Sequence, residues 1–528
     1  MPTLFPSAHP AVSLSALRRV QLRPYLWGPV VLVTAGVLVP LGYLVLRAFE
    51  ADAATLAALV FRARNAMLLG HTVGLAVGVL AVATVLAVPL AWLVTRTDLR
   101  GKRLATLLGV LPLAIPGYVM AYALLGATSR GGLLVGLGLP RPSGYTGALL
   151  ALGLYTFPYL FLNLRSALLG LDPSLEEAAR SLGTSPRQVA RRVVLPQLRP
   201  AFFAGSLLVV LHVLGDFGVV SLMRFETFSY AIYLQYSTAF DRIYAAWLAL
   251  MLLSLTGGLL VLEARLLRGR QFARTGSGAA RRADPTPLGR WTIPAYAFIV
   301  LVGLASVGVP VATVLHWLGR GAESVAWGAL GSALWDSTRA AVPAALVAAA
   351  LALPVAYLGV RRPSPAARVF ERIAYLGYAT PPLAFALALI VFSLRAMPGL
   401  YQSLALLIGA YALHFLAEAI GPVRSALYQA PPRVQEAARI LGRSPLRAFF
   451  DATFPLLRRG LGVSAAFVFL SALKELPITF LLSPLGFRSL AMGVWSAAGE
   501  SLFAVAAPYA LVLILTSMLL VGLLLRDT

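Results

Sequence analysis

The sequence predicts an all-α integral membrane protein with about 12 transmembrane helices, arranged as two parallel six-helix repeats. Three observations carry that prediction. Hydrophobic residues fill 59% of the 528 positions and charged residues only 12%, with a mean hydropathy of +0.82. Soluble chains carry roughly a quarter charged residues. The apolar residues gather into stretches of about 20, the length that crosses a bilayer. One polar segment also occurs twice, 259 residues apart.

Taken in order, the first six spans are expected at 26–49, 68–95, 104–127, 147–169, 201–223 and 244–267. The second six are expected at 291–318, 335–360, 373–394, 400–427, 461–482 and 502–525. Arginine and lysine bias orients them. With the amino terminus in the cytoplasm, 30 basic residues fall inside and 11 outside. The net charge of +24 therefore reflects membrane orientation and does not point to nucleic acid. Both termini are expected in the cytoplasm. Residues 1–23 show no apolar core followed by a small-residue cleavage site, so no removable signal peptide is expected. The absence of cysteine excludes disulfides, thiolate zinc sites and iron–sulfur ligation.

The duplication extends beyond the repeated segment. Pro89-Leu90-Ala91-Trp92 matches Pro354-Val355-Ala356-Tyr357 at an offset of 265, as do Arg96 with Arg361 and Pro116 with Pro381. Arg165-Ser166-Ala167-Leu168 matches Arg424-Ser425-Ala426-Leu427 at 259. Six spans return the chain to its starting side, so the repeats are parallel and should pack about an axis along the membrane normal. The expected domains are 1–267 and 291–528, joined by a cytoplasmic linker at 268–290 that contains Gly276-Ser277-Gly278 and Pro285-Thr286-Pro287.

The repeated segment reads Glu177-Ala178-Ala179-Arg180-Ser181-Leu182-Gly183 in one half and Glu436-Ala437-Ala438-Arg439-Ile440-Leu441-Gly442 in the other. Each lies in a polar loop, at about 172–200 and 431–459, on the arginine-rich side. Pro173 and Pro432 suit the first turn of a helix. Early glutamates suit its dipole, and Gly183 and Gly442 suit its end. The paired alanines leave a bare face for another protein. Ser185-Pro186 and Ser444-Pro445 are expected to start a second short helix that runs to Leu195-Pro196 and Phe454-Pro455. A plain connecting hairpin is the alternative, disfavoured by the matched positions. Two identical docking points suit one two-fold partner.

At these residues the chain resembles the permeases of ATP-binding-cassette importers, whose EAA loops dock into their ATPase. The resemblance covers most of the chain as two permease domains fused head to tail, with a type I importer fold. Lys474-Glu475-Leu476-Pro477-Ile478-Thr479, then Leu490-Ala491 and Trp495-Ser496-Ala497, is similar to fused bacterial ferric-iron permeases. Fused thiamine permeases share the architecture. The resemblance implies an inner-membrane location, a separate ATPase dimer, an extracytoplasmic substrate-binding protein and no cofactor bound by this chain. It makes Glu177, Ala178, Ala179, Gly183, Glu436, Ala437, Ala438 and Gly442 the ATPase-coupling residues. The chain itself has no G-x-x-x-x-G-K-[ST] loop to cradle nucleotide phosphates.

Ionisable residues within spans are functional candidates because their burial is costly. Asp216 is expected about 15 residues into the fifth span, and Glu475 at the matched position in the eleventh, with Lys474 beside it. The pair reads as an acidic constriction on a cation's path, without tight metal binding. The competing reading is an acid that pins a kink near Gly218 or Pro477. His212 precedes Asp216 by four residues, as His414 precedes Glu418, but neither pair shows a third ligand in sequence. Arg165 and Arg424 are expected to snorkel toward the cytoplasm. No catalytic motif is present, so an enzyme is not expected. An importer permease for ferric iron is the leading reading. Thiamine, phosphonate or another small solute is the alternative cargo, and a secondary transporter the distant alternative class.

Overall fold

The computed structural model describes residues 24–266, 285–321 and 325–526. The reading of residues 1–23, and the Gly276-Ser277-Gly278 part of the linker, lie outside the described residues. Among the described residues, nine helices are long and apolar enough to cross a membrane, or up to twelve if each of three bent pairs counts as one span.

The first half begins with α1 (Pro24–Ala48), the short α2 (Ala53–Val60) and the long α3 (Ala63–Arg96). The expected third span is not one helix. It divides into α4 (Lys102–Val110) and α5 (Gly117–Thr128), bent by 97°. Pro116 explains the break: it has no N–H to donate, and it holds Ile115 extended at φ −95°, ψ 114°. Then come α6 (Gly144–Gly170), α7 (Pro173–Ser181), α8 (Pro186–Val189), α9 (Leu195–Gly215), α10 (Gly218–Leu222), α11 (Phe228–Ser237) and α12 (Arg242–Leu266).

The second half opens with α13 (Thr292–Gly303) and α14 (Val309–Gly321), then α15 (Trp327–Arg361). The expected ninth span divides into α16 (Pro365–Ala379) and α17 (Pro382–Ala396), bent by 105° at Pro381-Pro382. The tenth divides into α18 (Leu404–His414) and α19 (Leu416–Gln429), bent by 54°. No proline or glycine marks that second break, so the sequence carries no signal for it. The chain closes with α20 (Pro432–Ile440), α21 (Pro445–Ala448), α22 (Phe454–Lys474), α23 (Pro477–Leu482), α24 (Leu490–Gly499) and α25 (Phe503–Arg526).

Two further expectations change. The fifth and eleventh spans end at Gly215 and Lys474, short of the expected 223 and 482. The second short helix of each loop also does not stop at Leu195-Pro196 or Phe454-Pro455. It runs into α9 or α22 through one π turn, Ala190–Val194 or Phe449–Thr453. The wider turn lets the chain pass a proline that cannot donate a hydrogen bond.

Within each half, long helices pack side by side: α3 on α6 and α6 on α9, then α15 on both α19 and α22. Small residues make this close approach possible, as in membrane helix packing generally. Ala341, Ala344, Ala348 and Ala352 line the buried face of α15. Gly205 of α9 lies so close to α6 that a Cβ there would sit 2.9 Å from the Leu160 Cα. Large apolar residues such as Leu32, Val77, Val85 and Leu346 stay exposed, suiting a lipid-facing surface. The halves exchange their opening helices: α1 packs on α16 and α17, while α13 and α14 pack on α4 and α5. The described end of the linker is pinned to the first half. Thr286 N–H donates to Arg96 O (2.8 Å), and Leu288 N–H donates to Asp98 Oδ1 (2.9 Å).

Candidate functional site

Two constellations stand out: the repeated loop helices α7 and α20, and a cavity between the halves. Asp172 caps α7, its carboxylate accepting from Ser174 N–H at 3.0 Å, and Pro173 follows at the first position. Gly183 ends the helix at φ +79°, donating to Arg180 O at 2.9 Å; Gly442 ends α20 at φ +86°, donating to Arg439 O at 3.0 Å. That left-handed conformation is where glycine carries no Cβ penalty. Glu177 and Ala178 are exposed on α7 with Ala179 half-buried, and Glu436, Ala437 and Ala438 repeat the pattern on α20. Sequence reasoning missed one pair on this surface. Leu182 (86% exposed) and Leu441 (83%) project at the helix ends, where an apolar side chain in water marks an interaction site.

The two helices are held differently. Glu176 of α7 forms a buried ion pair with Arg96 at the end of α3 (2.8 Å), and Arg180 stands 3.8 Å away. At the matched position α20 has Gln435, which accepts from Tyr357 Oη at 3.4 Å. Arg361 there donates to the carbonyls of Leu427 (3.1 Å) and Ala430. Arg424 pairs with Glu371 of α16. Removing one partner of a buried pair strands the other charge and costs about 3–5 kcal/mol. Glu176→Ala is therefore expected to lower the thermal unfolding midpoint in detergent, and adding Arg96→Met to the same chain should restore much of the loss. An unchanged midpoint in Glu176→Ala would show that the pair is not stabilising.

The cavity, about 190 Å³, lies where α9 and α22 end. Asp216 and Glu475 are not inside helices as expected but in the extended residues that follow them, at ψ 127° and 126°. Each acid caps the short helix beyond it. Asp216 Oδ1 accepts from Val219 N–H (2.8 Å) and Val220 N–H (3.3 Å); Glu475 Oε1 accepts from Ile478 N–H (3.0 Å). Both acids also line the cavity. Each acid is thus at once a helix cap at a break and a wall of the cavity. Lys474, the last residue of α22, donates from Nζ to Leu113 O at 3.2 Å.

The two histidine–carboxylate pairs, separate in sequence, meet in this cavity. His212 stacks against Tyr159 with ring centroids 4.2 Å apart, and Glu418 Oε2 accepts from Ser471 Oγ at 2.7 Å. At the offset of 259, Tyr155 falls on His414, Tyr159 on Glu418, His212 on Ser471 and Gly215 on Lys474. All eight line the cavity with Asp216 and Glu475, so matched positions from the two halves face one space with different chemistry. Three carboxylates and one lysine line it, and no arginine. Among the described residues no three His, Cys, Asp or Glu side chains converge closely enough to hold a metal ion. Beyond the acids, Phe217, Tyr233, Phe480 and Trp495 form a four-ring cluster with centroids 4.8–6.0 Å apart. Trp495 Nε1 donates from α24 to Ser221 Oγ of α10 at 2.8 Å, joining the halves there.

The family described as "Binding-protein-dependent transport system inner membrane component" matches the chain twice, at residues 83–268 and 341–527. Among curated proteins, the chain is similar to the Fe(3+)-transport system permease protein FbpB 2 of Haemophilus influenzae. They are 32% identical over 503 residues, covering 94% of this chain and 97% of that protein. A probable molybdenum ABC transporter permease of Haloferax volcanii is 31% identical over 252 residues, 46% of this chain and 91% of its own length. The sulfate transport system permease protein CysW of Escherichia coli is 30% identical over 262 residues, 45% of this chain and 89% of its own.

Proposed function

The chain belongs to the family of binding-protein-dependent transport system inner membrane components, and from that premise we propose that it is the permease subunit of an ATP-driven ferric-iron importer. The carrying observation is the cavity between the halves. Three carboxylates against one lysine, with tyrosines and no arginine, suit a cation and not an oxyanion such as molybdate or sulfate. Ferric iron is a hard cation that prefers oxygen ligands. The near full-length relation to a permease named for Fe(3+) agrees with that chemistry. In this reading the cavity passes the ion on without holding it tightly, since a tight site would stall release.

In this reading Glu177, Ala178, Ala179 and Gly183, with Glu436, Ala437, Ala438 and Gly442, dock a separate ATPase dimer that supplies the hydrolysis. An extracytoplasmic binding protein delivers iron to the opposite face, and both termini lie in the cytoplasm of an inner membrane. The chain binds no cofactor of its own. The test is reconstitution in vesicles with the candidate ATPase and binding protein from the same organism, measuring uptake of radioactive iron, molybdate, sulfate and thiamine. Iron uptake that requires ATP supports the assignment; uptake of another solute in its place overturns the cargo.

Because one polypeptide presents both docking helices, the assembled complex should contain one permease and two ATPase subunits. Native mass measurement checks this, and a complex with two permeases would show that the duplication serves another purpose.

A further inference from the structure

The matched ends of α3 and α15 differ in one respect that points to a ligand. In the first half, Arg96 is neutralised by Glu176, and Asp98 beside it accepts from the linker's Leu288 N–H. At the offsets of the repeat, Glu176 becomes Gln435, Asp98 becomes Pro363, and Thr97 becomes Arg362. The second half thus loses both acids and gains an arginine.

A cavity of about 520 Å³ opens at that place, between the start of α1, the end of α15 and the helices α20 and α21. Arg361, Arg362 and Arg439 line it, against Glu436 as the one carboxylate among its lining residues. The Nε of Arg361 is buried and has no hydrogen-bond partner among the described residues. The rest of the wall is largely apolar, including Leu26, Leu353 and Phe449, and Phe450 and Leu446 at its edge are about half exposed. The chain entering α1 cannot supply the missing charge, because its nearest charged residues are Arg18, Arg19 and Arg23.

We propose that this cavity binds the phosphate headgroup of an anionic phospholipid from the leaflet on the side of α7 and α20. The arginines take the phosphate in place of the carboxylate that α7 provides for Arg96, since guanidinium groups hold phosphate through paired N–H donors. The apolar wall takes the first part of the acyl chains, where the span α15 passes into the polar loop. A headgroup there bridges α1, α15 and α20 as the Arg96–Glu176 pair bridges α3 and α7. Basic pockets at the membrane boundary recognise anionic lipids by this chemistry. A soluble phosphate would satisfy the arginines but leave the apolar wall uncovered.

The test is retention of added lipid by the full-length chain in mild detergent, read by native mass spectrometry. Dioleoyl-phosphatidylglycerol is compared with dioleoyl-phosphatidylcholine, with inorganic phosphate as competitor. The wild-type chain should retain phosphatidylglycerol in preference to phosphatidylcholine. Gln435→Glu restores the first half's carboxylate at nearly unchanged shape and should weaken that retention about tenfold or more. Leu353→Trp, which fills the apolar wall without touching a charge, should do the same. Equal retention of the two lipids by the wild-type chain, or undiminished phosphatidylglycerol in both variants, overturns the proposal. Full displacement by inorganic phosphate alone would assign the site to a soluble anion and overturn the lipid. The readout is lipid mass, so the outcome does not depend on the cargo.

Discussion

Reversing both docking charges, Glu177→Arg with Glu436→Arg, is expected to reduce iron uptake to background, a loss of at least about 100-fold. Both residues are exposed beside the bare alanines of α7 and α20, so the change alters the surface offered to a partner, and at Glu436 also the rim of the arginine-lined cavity. The chain should still insert and still migrate as a folded species in detergent, but it should no longer copurify with the ATPase. Gly183→Asp or Gly442→Asp should have the same effect by another route. A Cβ at either position meets nothing within 4 Å. Folding therefore bears only the modest cost of a positive φ, about 1–2 kcal/mol. The added carboxylate stands beside the exposed Leu182 or Leu441. Wild-type uptake in the double glutamate variant would remove α7 and α20 from the coupling machinery.

The second large effect is expected from Asp216→Asn with Glu475→Gln. Both replacements keep a side-chain oxygen that can accept from Val219 and Ile478, so the caps of α10 and α23 survive. What is lost is two of the three carboxylates lining the cavity. Clefts lined by one sign of charge raise the local concentration of the opposite ion by factors of 10 to 1,000. Iron uptake should accordingly fall about 10-fold or more, while substrate-stimulated ATP hydrolysis falls much less. If both activities are unchanged, or if the chain fails to assemble, the acids serve only as helix caps.

Much of this architecture is legible in the sequence because bilayer physics simplifies the code: apolar length locates the spans, and the offsets of 259 and 265 expose the duplication. The loop helices are legible for the same reason soluble helices are, through Pro173, Pro432, Gly183 and Gly442. The breaks are less so. Pro116 and Pro381 match as a repeat, yet an apolar stretch that contains proline reads as a span whether it runs straight or turns through 97°. The break at Phe415 has no local signal. The cavity depends on packing about the pseudo-axis, which no single-span reading contains. Tyr155, Tyr159 and Ser471 became visible as lining residues only when α6, α9, α19 and α22 were brought together. Their repeat positions opposite His414, Glu418 and His212 were the available clue. The helices α11 and α24 are not legible as spans because 10 residues are too few to register as a crossing.

The exchange of opening helices has a consequence for how the chain is made. α1 ends at Ala48, and α16 and α17, the pair that covers most of its buried face, begin at Pro365, about 320 residues later. At roughly 5–20 residues per second, the ribosome needs about 15–60 s to deliver them. Through that interval α1 can rest on α12 but lacks the surface of α16 and α17, while α3 to α12 can already pack on one another. The first half is therefore complete in sequence long before it is complete in structure. A nascent chain arrested in the linker should leave Val37, which is buried against Gly377 of α16 in the finished protein, open to lipid-facing crosslinkers.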